Sequence, residues 1–138
     1  MICVAIANQK GGVGKTTTAI NIATAMAATG WRTLLLDLDP QGNASTGIGL
    51  ASGNRSRTSY DLLVEGASVE ECTFPTNIPN LDILPATVDL SGAELELVGE
   101  EDRAARLAAA TGRGVFLGAH AAFLSCGRRP ISSLASAM

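Results

Sequence analysis

The run Lys10-Gly11-Gly12-Val13-Gly14-Lys15-Thr16-Thr17 carries the chemistry most plainly written in this sequence. Glycines at 11, 12 and 14 allow positive φ and let successive backbone N–H groups turn toward one point. Such a nest suits a polyphosphate. Lys15 is placed to reach β- and γ-phosphates, and the Thr16 hydroxyl to ligate Mg²⁺. The usual spacing G-x-x-x-x-G-K-[ST] is missed by one residue, because its first glycine falls on Gln9. A second lysine, Lys10, stands just inside the loop instead. Two acids, Asp37 and Asp39, are the other residues able to do chemistry. A nucleotide site needs an acid near the metal and the attacking water, although Asp39-Pro40 is also a turn signal in its own right.

These residues need elements to hold them. Ile2–Ala7 is a continuous apolar run rich in β-branched residues, which reads as a buried parallel strand. Lys15 to about Thr29 has no Gly or Pro and reads as a helix, with Ala19, Ile20, Ile22, Ala23, Met26 and Ala27 on a wide apolar face and Gly30 as its stop. Strand, glycine loop and helix in that order are the context a phosphate loop requires. Residues 32–37 form a second strand. A right-handed strand–helix–strand connection puts both strand C-termini on one edge, bringing Asp37 and Asp39 beside the loop. Gln41–Ser59 reads as a loop with a short helix near 44–50, and Tyr60–Val64 as a brief amphipathic helix. Leu81–Leu84 is a third strand, and Glu94–Ala110 a helix whose charged residues form a solvated face.

The 138 residues suffice for one domain with a real core. With 46% hydrophobic but only 4% aromatic residues, the chain suits a parallel sheet packed on small-residue helices. A net charge of −3 gives no global basic field for nucleic acid. No stretch reaches the length of a membrane span, and the strand-like start lacks the basic region of a signal peptide. Cys3, Cys72 and Cys126 are odd in number and widely spaced, fitting neither a disulfide framework nor a metal knuckle, so a reducing cytoplasm is expected. Cys72 reads as a small core or loop residue.

Lys10-Gly-Gly-x-Gly-Lys15-Thr resembles the deviant Walker A loop of the ParA/MinD superfamily of P-loop ATPases. Asp37 to Asn43, Asp-Leu-Asp-Pro-Gln-Gly-Asn, looks like the Walker A′ segment of the ParA/Soj partition ATPases. Ser59-Tyr-Asp-Leu-Leu63, Leu81 to Ala86 and Asp89 to Glu94 are similar to further segments of that family, so the resemblance covers residues 2 to about 107. It implies an α/β P-loop NTPase fold, a parallel sheet flanked by helices in a truncated three-layer α/β/α arrangement. It implies ATP and Mg²⁺ as cofactors, with ATP held by Gly11, Gly12, Val13, Gly14, Lys15, Thr16 and Thr17, and Mg²⁺ by Thr16 and Asp39. Lys10, Lys15 and Asp39 are the implied catalytic residues. The resemblance further implies that Lys10 reaches the nucleotide of the partner subunit in an ATP-sandwich homodimer. The implied function is chromosome or plasmid segregation, in the cytoplasm and on the nucleoid. The implied partners are a centromere-binding partition protein and nonspecific DNA, the latter through the absent C-terminal half, with no membrane.

Beyond residue 107 the resemblance decays. Val115-Phe116-Leu117 looks like the start of the next core strand, which in the family ends in an aspartate followed by Pro-Pro-Ser. Gly118-Ala119-His120-Ala121-Ala122 stands there instead. Residues 1–117 are therefore expected to be the N-terminal part of the ATPase domain, and 118–138 a divergent, weakly ordered tail. Read one base later, codons for His120 to Leu124 permit Thr-Pro-Pro-Ser-Leu, so a frameshift near codons 117–120 and an impaired enzyme are expected. His120, the single histidine, has no partner at ligand spacing and reads as incidental, and Arg128-Arg129 as solvated. A non-catalytic pseudo-ATPase fragment and a MinD-like membrane-cycling ATPase are the alternatives. A nitrogenase iron-protein relative would need cluster cysteines that these three do not supply.

Overall fold

The computed structural model describes residues 2–8, 10–96 and 121–126. The chain runs β1 (Ile2–Ile6), α1 (Lys15–Ala28), β2 (Arg32–Asp37), α2 (Asn43–Gly47), a 3₁₀ turn (Ser52–Asn54), a π-helical turn (Asp61–Glu65), β3 (Phe74–Pro75), β4 (Leu81–Leu84), α3 (Leu90–Glu96) and β5 (Ala121–Cys126). The strands form one sheet in the order β1-β5-β2-β4-β3.

β2 sets the two faces of the core, because successive side chains of a strand point to opposite sides. Leu35 packs with Leu81, Ile83 and the buried Ala19, Ala23 and Ala27 of α1, joined by Ala44 of α2. Leu34 and Leu36 pack with Leu84, Leu62, Leu63, Cys72, Ala86, Leu90 and Ala93 on the other side. The sheet is thus flanked by α1 and α2 on one face and by the π-helical turn and α3 on the other. α1 meets the sheet through alanines every four residues, a row without bulk that lets the helix lie close. Ile22, expected on that apolar face, points outward instead at 36% exposure. α1 ends in a Schellman motif, with the Gly30 amide on the Ala27 carbonyl at 3.0 Å and the Trp31 amide on that of Met26 at 3.2 Å.

The sheet is mixed, not uniformly parallel. β2 and β4 pair in parallel as expected. β1 and β2 do not pair with each other. β5 lies between them, antiparallel to both, so β1 and β2 run in the same direction. β3 adds an antiparallel edge on β4. β5 falls in the stretch expected to be weakly ordered. A strand of either direction can pair the ladder groups of its neighbours, and the short apolar run 121–126 has no period that distinguishes strand from irregular chain. The strand start at 115–117, His120, Arg128, Arg129 and most of the expected 94–110 helix lie outside the described residues. Among the described residues no helix is long and apolar enough to cross a membrane.

Candidate phosphate-binding site

The loop from β1 to α1 turns on Gly12 and Gly14, whose φ values of 71° and 82° lie in the left-handed region that a Cβ disfavours. Gly14 is the N-cap of α1, and its carbonyl accepts the Thr18 amide at 2.9 Å. No side chain caps α1, and no acid stands in its first turn. The amides of Lys15, Thr16 and Thr17 therefore have no partner inside the helix, and the positive end of its dipole lies behind them. Lys10, Gly11, Gly12, Val13 and Gly14 are exposed, Lys15 and Thr16 half-buried, and Thr17 exposed. The Lys10 amide donates to Asn8 Oδ1 at 2.9 Å. The Lys15 ammonium donates to the Lys10 carbonyl at 2.8 Å. Lys15 is thus curled back over the loop.

The strand register brings the acidic segment to the same edge. Ile6 and Asp37 both pair with Ala121, so the ends of β1 and β2 stand level, two strand spacings or about 10 Å apart. α2 then docks the segment onto α1. Ala44 packs in the same cluster as Ala19 and Ala23, and a Cβ on Gly47 would come within 2.7 Å of Ile20 Cδ1.

Asp37 and Asp39 have different environments. Asp37 is fully buried. Its Oδ1 accepts the Asp39 amide at 3.1 Å. Its Oδ2 accepts the Ser45 amide at 2.9 Å and the Ser45 hydroxyl at 2.6 Å. Burial raises the Asp37 carboxyl above its ordinary value, with the two Ser45 bonds pulling the other way. Asp37 is thereby a brace that ties the end of β2 to α2. Asp39 is half-buried, and its Oδ1 accepts the Gln41 amide at 3.0 Å. That leaves Asp39 acceptor capacity to spare.

Two residues of this arrangement carry no signal in the sequence. The Ser45 hydroxyl also accepts the Ala86 amide at 3.2 Å, joining the ends of β2 and β4. Arg55, in a Gly- and Ser-rich stretch, donates to the Ala86 carbonyl at 2.8 Å. Neither spacing belongs to a helix or strand period, so only the folded chain reveals them.

The donor chemistry fits a nucleotide with Mg²⁺. Loop amides and an ammonium suit phosphate, and a hydroxyl and a carboxylate are the hard oxygens that Mg²⁺ prefers. Among the described residues no group of three or more His, Cys, Asp or Glu could hold a metal by itself. A Mg²⁺ here would therefore share its shell with phosphate oxygens, its usual habit.

The sequence profile of an AAA domain family matches residues 1–112. The chain belongs to this family. Within it, the chain is 56% identical over 103 residues to the chromosome partitioning protein ParA of Caulobacter vibrioides, which is 75% of this chain and 39% of that protein. It is 49% identical over 104 residues to the sporulation initiation inhibitor protein Soj of Bacillus subtilis, 75% of this chain and 41% of that protein. The chain thus spans about 40% of the length of these curated relatives. Its fold is similar to that of cobyrinic acid a,c-diamide synthase from Mycobacterium smegmatis, solved with a bound ATP analog and magnesium. The TM-score is 0.72 and the identity 36%, over 77% of this chain and 43% of that one. The resemblance to the ParA/Soj proteins holds, and so does the P-loop fold class.

Proposed function

We propose that this chain is the nucleotide-binding part of a partition ATPase, binding ATP with Mg²⁺ and serving DNA segregation. The observation that carries this reading is the level register of β1 and β2. It sets the Lys10–Thr17 loop and the Asp39 segment on one sheet edge, with α2 docked on the helix that the loop opens. The partition role is carried over from the ParA and Soj relatives.

In this reading the loop amides and Lys15 bind the β- and γ-phosphates. Thr16 and Asp39 would hold Mg²⁺, which neutralises charge developing on the transferred phosphoryl group. Asp39 also orients the attacking water. Val13 and Thr17 line the phosphate loop. Lys10 precedes the glycines and serves a nucleotide bound by a second copy, as in an ATP-sandwich dimer. That dimer engages DNA nonspecifically, and a centromere-binding partner stimulates hydrolysis.

A second reading is favoured by one feature of the sheet. Between the loop strand and the acid strand lies β5, whose six residues Ala-Ala-Phe-Leu-Ser-Cys include no acid. A module of this kind binds nucleotide without turnover. Two measurements on the full chain separate the readings: titration with a fluorescent ATP analogue, and phosphate release. Magnesium-dependent binding lost in Lys15→Ala supports the site. Slow or absent phosphate release then assigns the chain to the second reading. A wild-type chain whose binding equals that of Lys15→Ala would refute both.

A further inference from the structure

We propose that Arg55 is a positioning residue for the Asp39 segment, an inference that rests on the nucleotide-site reading above. Its guanidinium reaches three places in the chain. Nη1 donates to the Ala86 carbonyl at 2.8 Å, beyond the end of β4. Nη2 donates to Thr46 Oγ1 at 2.8 Å and to the Leu50 carbonyl at 2.9 Å. Nε donates to the same Leu50 carbonyl at 3.3 Å. Among the described residues no carboxylate lies within ion-pair distance of Arg55. The guanidinium is therefore spent on neutral oxygens that fix backbone, not on charge pairing.

The ties lead stepwise to the acid. Thr46, held by Arg55, donates its hydroxyl to the Gly42 carbonyl at 3.1 Å. The Gly42 amide in turn donates to the Asp39 carbonyl at 2.8 Å. Gly42 itself has φ 62°, and the space where a Cβ would stand is taken by Arg55 Nη1 and by the Ala86 carbonyl, at 2.7 Å. Arg55 thus lies flat against the turn that follows Asp39 and clamps it to the end of β4. On its outer side is an open hollow of about 550 Å³, bordered by Pro40, Gln41, Thr87 and Asp89. Arg55 itself borders this hollow, so its hydrogen bonds hold the turn on the side that opens to solvent. Lysine cannot substitute, because one ammonium cannot present a planar fork to acceptors on three segments.

The test uses the full chain in two arms. Hydrogen exchange of the ligand-free protein is followed at the Gly42 and Thr46 amides, with Leu35 and Ile83 in the core as references. Arg55→Ala and Arg55→Lys should each speed exchange at 42 and 46 at least tenfold and leave the references unchanged. No change at 42 and 46, or equal acceleration at the references, overturns the proposal. In the second arm the affinity for a fluorescent ATP analogue is measured with and without Mg²⁺. Arg55→Ala should keep the magnesium-free affinity and lose at least threefold of the magnesium enhancement, the same loss expected of Asp39→Ala. An unaltered enhancement in an opened segment also overturns it. A wild-type chain that binds no nucleotide sinks the nucleotide reading separately, and the exchange arm still decides whether Arg55 holds the segment.

Discussion

Replacing Ser45 by alanine should destabilise the chain more than any surface change, and by an amount that depends on pH. Ser45 is fully buried. Its hydroxyl donates to Asp37 Oδ2 at 2.6 Å and accepts the Ala86 amide at 3.2 Å. Alanine removes the bond to Asp37, worth about 1.5–3 kcal/mol when the acceptor is charged, and strands the Ala86 amide, worth ~1–3 kcal/mol. Because the two losses share one site and the loop can relax, a total of about 2–4 kcal/mol is expected near neutral pH. The Asp37 carboxyl is raised above its ordinary value of 3.8 by burial and lowered in part by Ser45. A raised folded-state value means that Asp37 favours folding most when protonated, and that this contribution is lost as pH rises through the folded value. Without Ser45 that value rises further, so the loss on the alkaline side grows. The penalty of Ser45→Ala should therefore be largest at neutral pH and shrink toward acid, where only a neutral hydrogen bond and the Ala86 amide are at stake. Urea unfolding followed by Trp31 fluorescence at several pH values measures it. A penalty that grows toward acid would refute the reasoning.

Lys15→Ala should weaken ATP binding at least tenfold in an equilibrium titration, because the proposed site gives the phosphate-binding charge to the ammonium that rests on the Lys10 carbonyl. Lys10→Ala should leave that affinity within about twofold and, in a chain extended to the length of its relatives, remove the ATP-dependent dimers that the proposed sandwich requires, as sedimentation would show. Dimers that persist unchanged would exclude the cross-subunit role. Cys72 is fully buried, and burial pushes its thiol up to about 11. It should resist alkylation at pH 8 in the folded chain and react at once in urea, as mass spectrometry would show.

What was legible in the sequence was whatever is local or periodic. The loop glycines, the helix from Lys15 and its stop at Gly30 each depend on neighbours within a few residues. The two strands and their parallel sense followed from two short apolar runs, since a buried strand with both faces covered needs little else, but their pairing with each other did not. The alanine row of α1 is visible in the sequence as well, but Ile22 lies off the covered face. In a helix that meets the sheet through residues 19, 23 and 27, position 22 lies on a different flank, and a wide apolar face does not say which part of it is covered. The insertion of β5 between β1 and β2 could not be read at all, because strand pairing across more than eighty residues leaves no local trace. The same limit governs the site. Asp37 and Asp39 look alike on paper, two acids at a strand end. Only a serine eight positions on makes one of them a brace, while the other keeps acceptor capacity. The different environments of two neighbouring acids are thus a property of the tertiary hydrogen-bond network, and it is at Ser45, outside the motif, that the Asp37 environment can be altered experimentally.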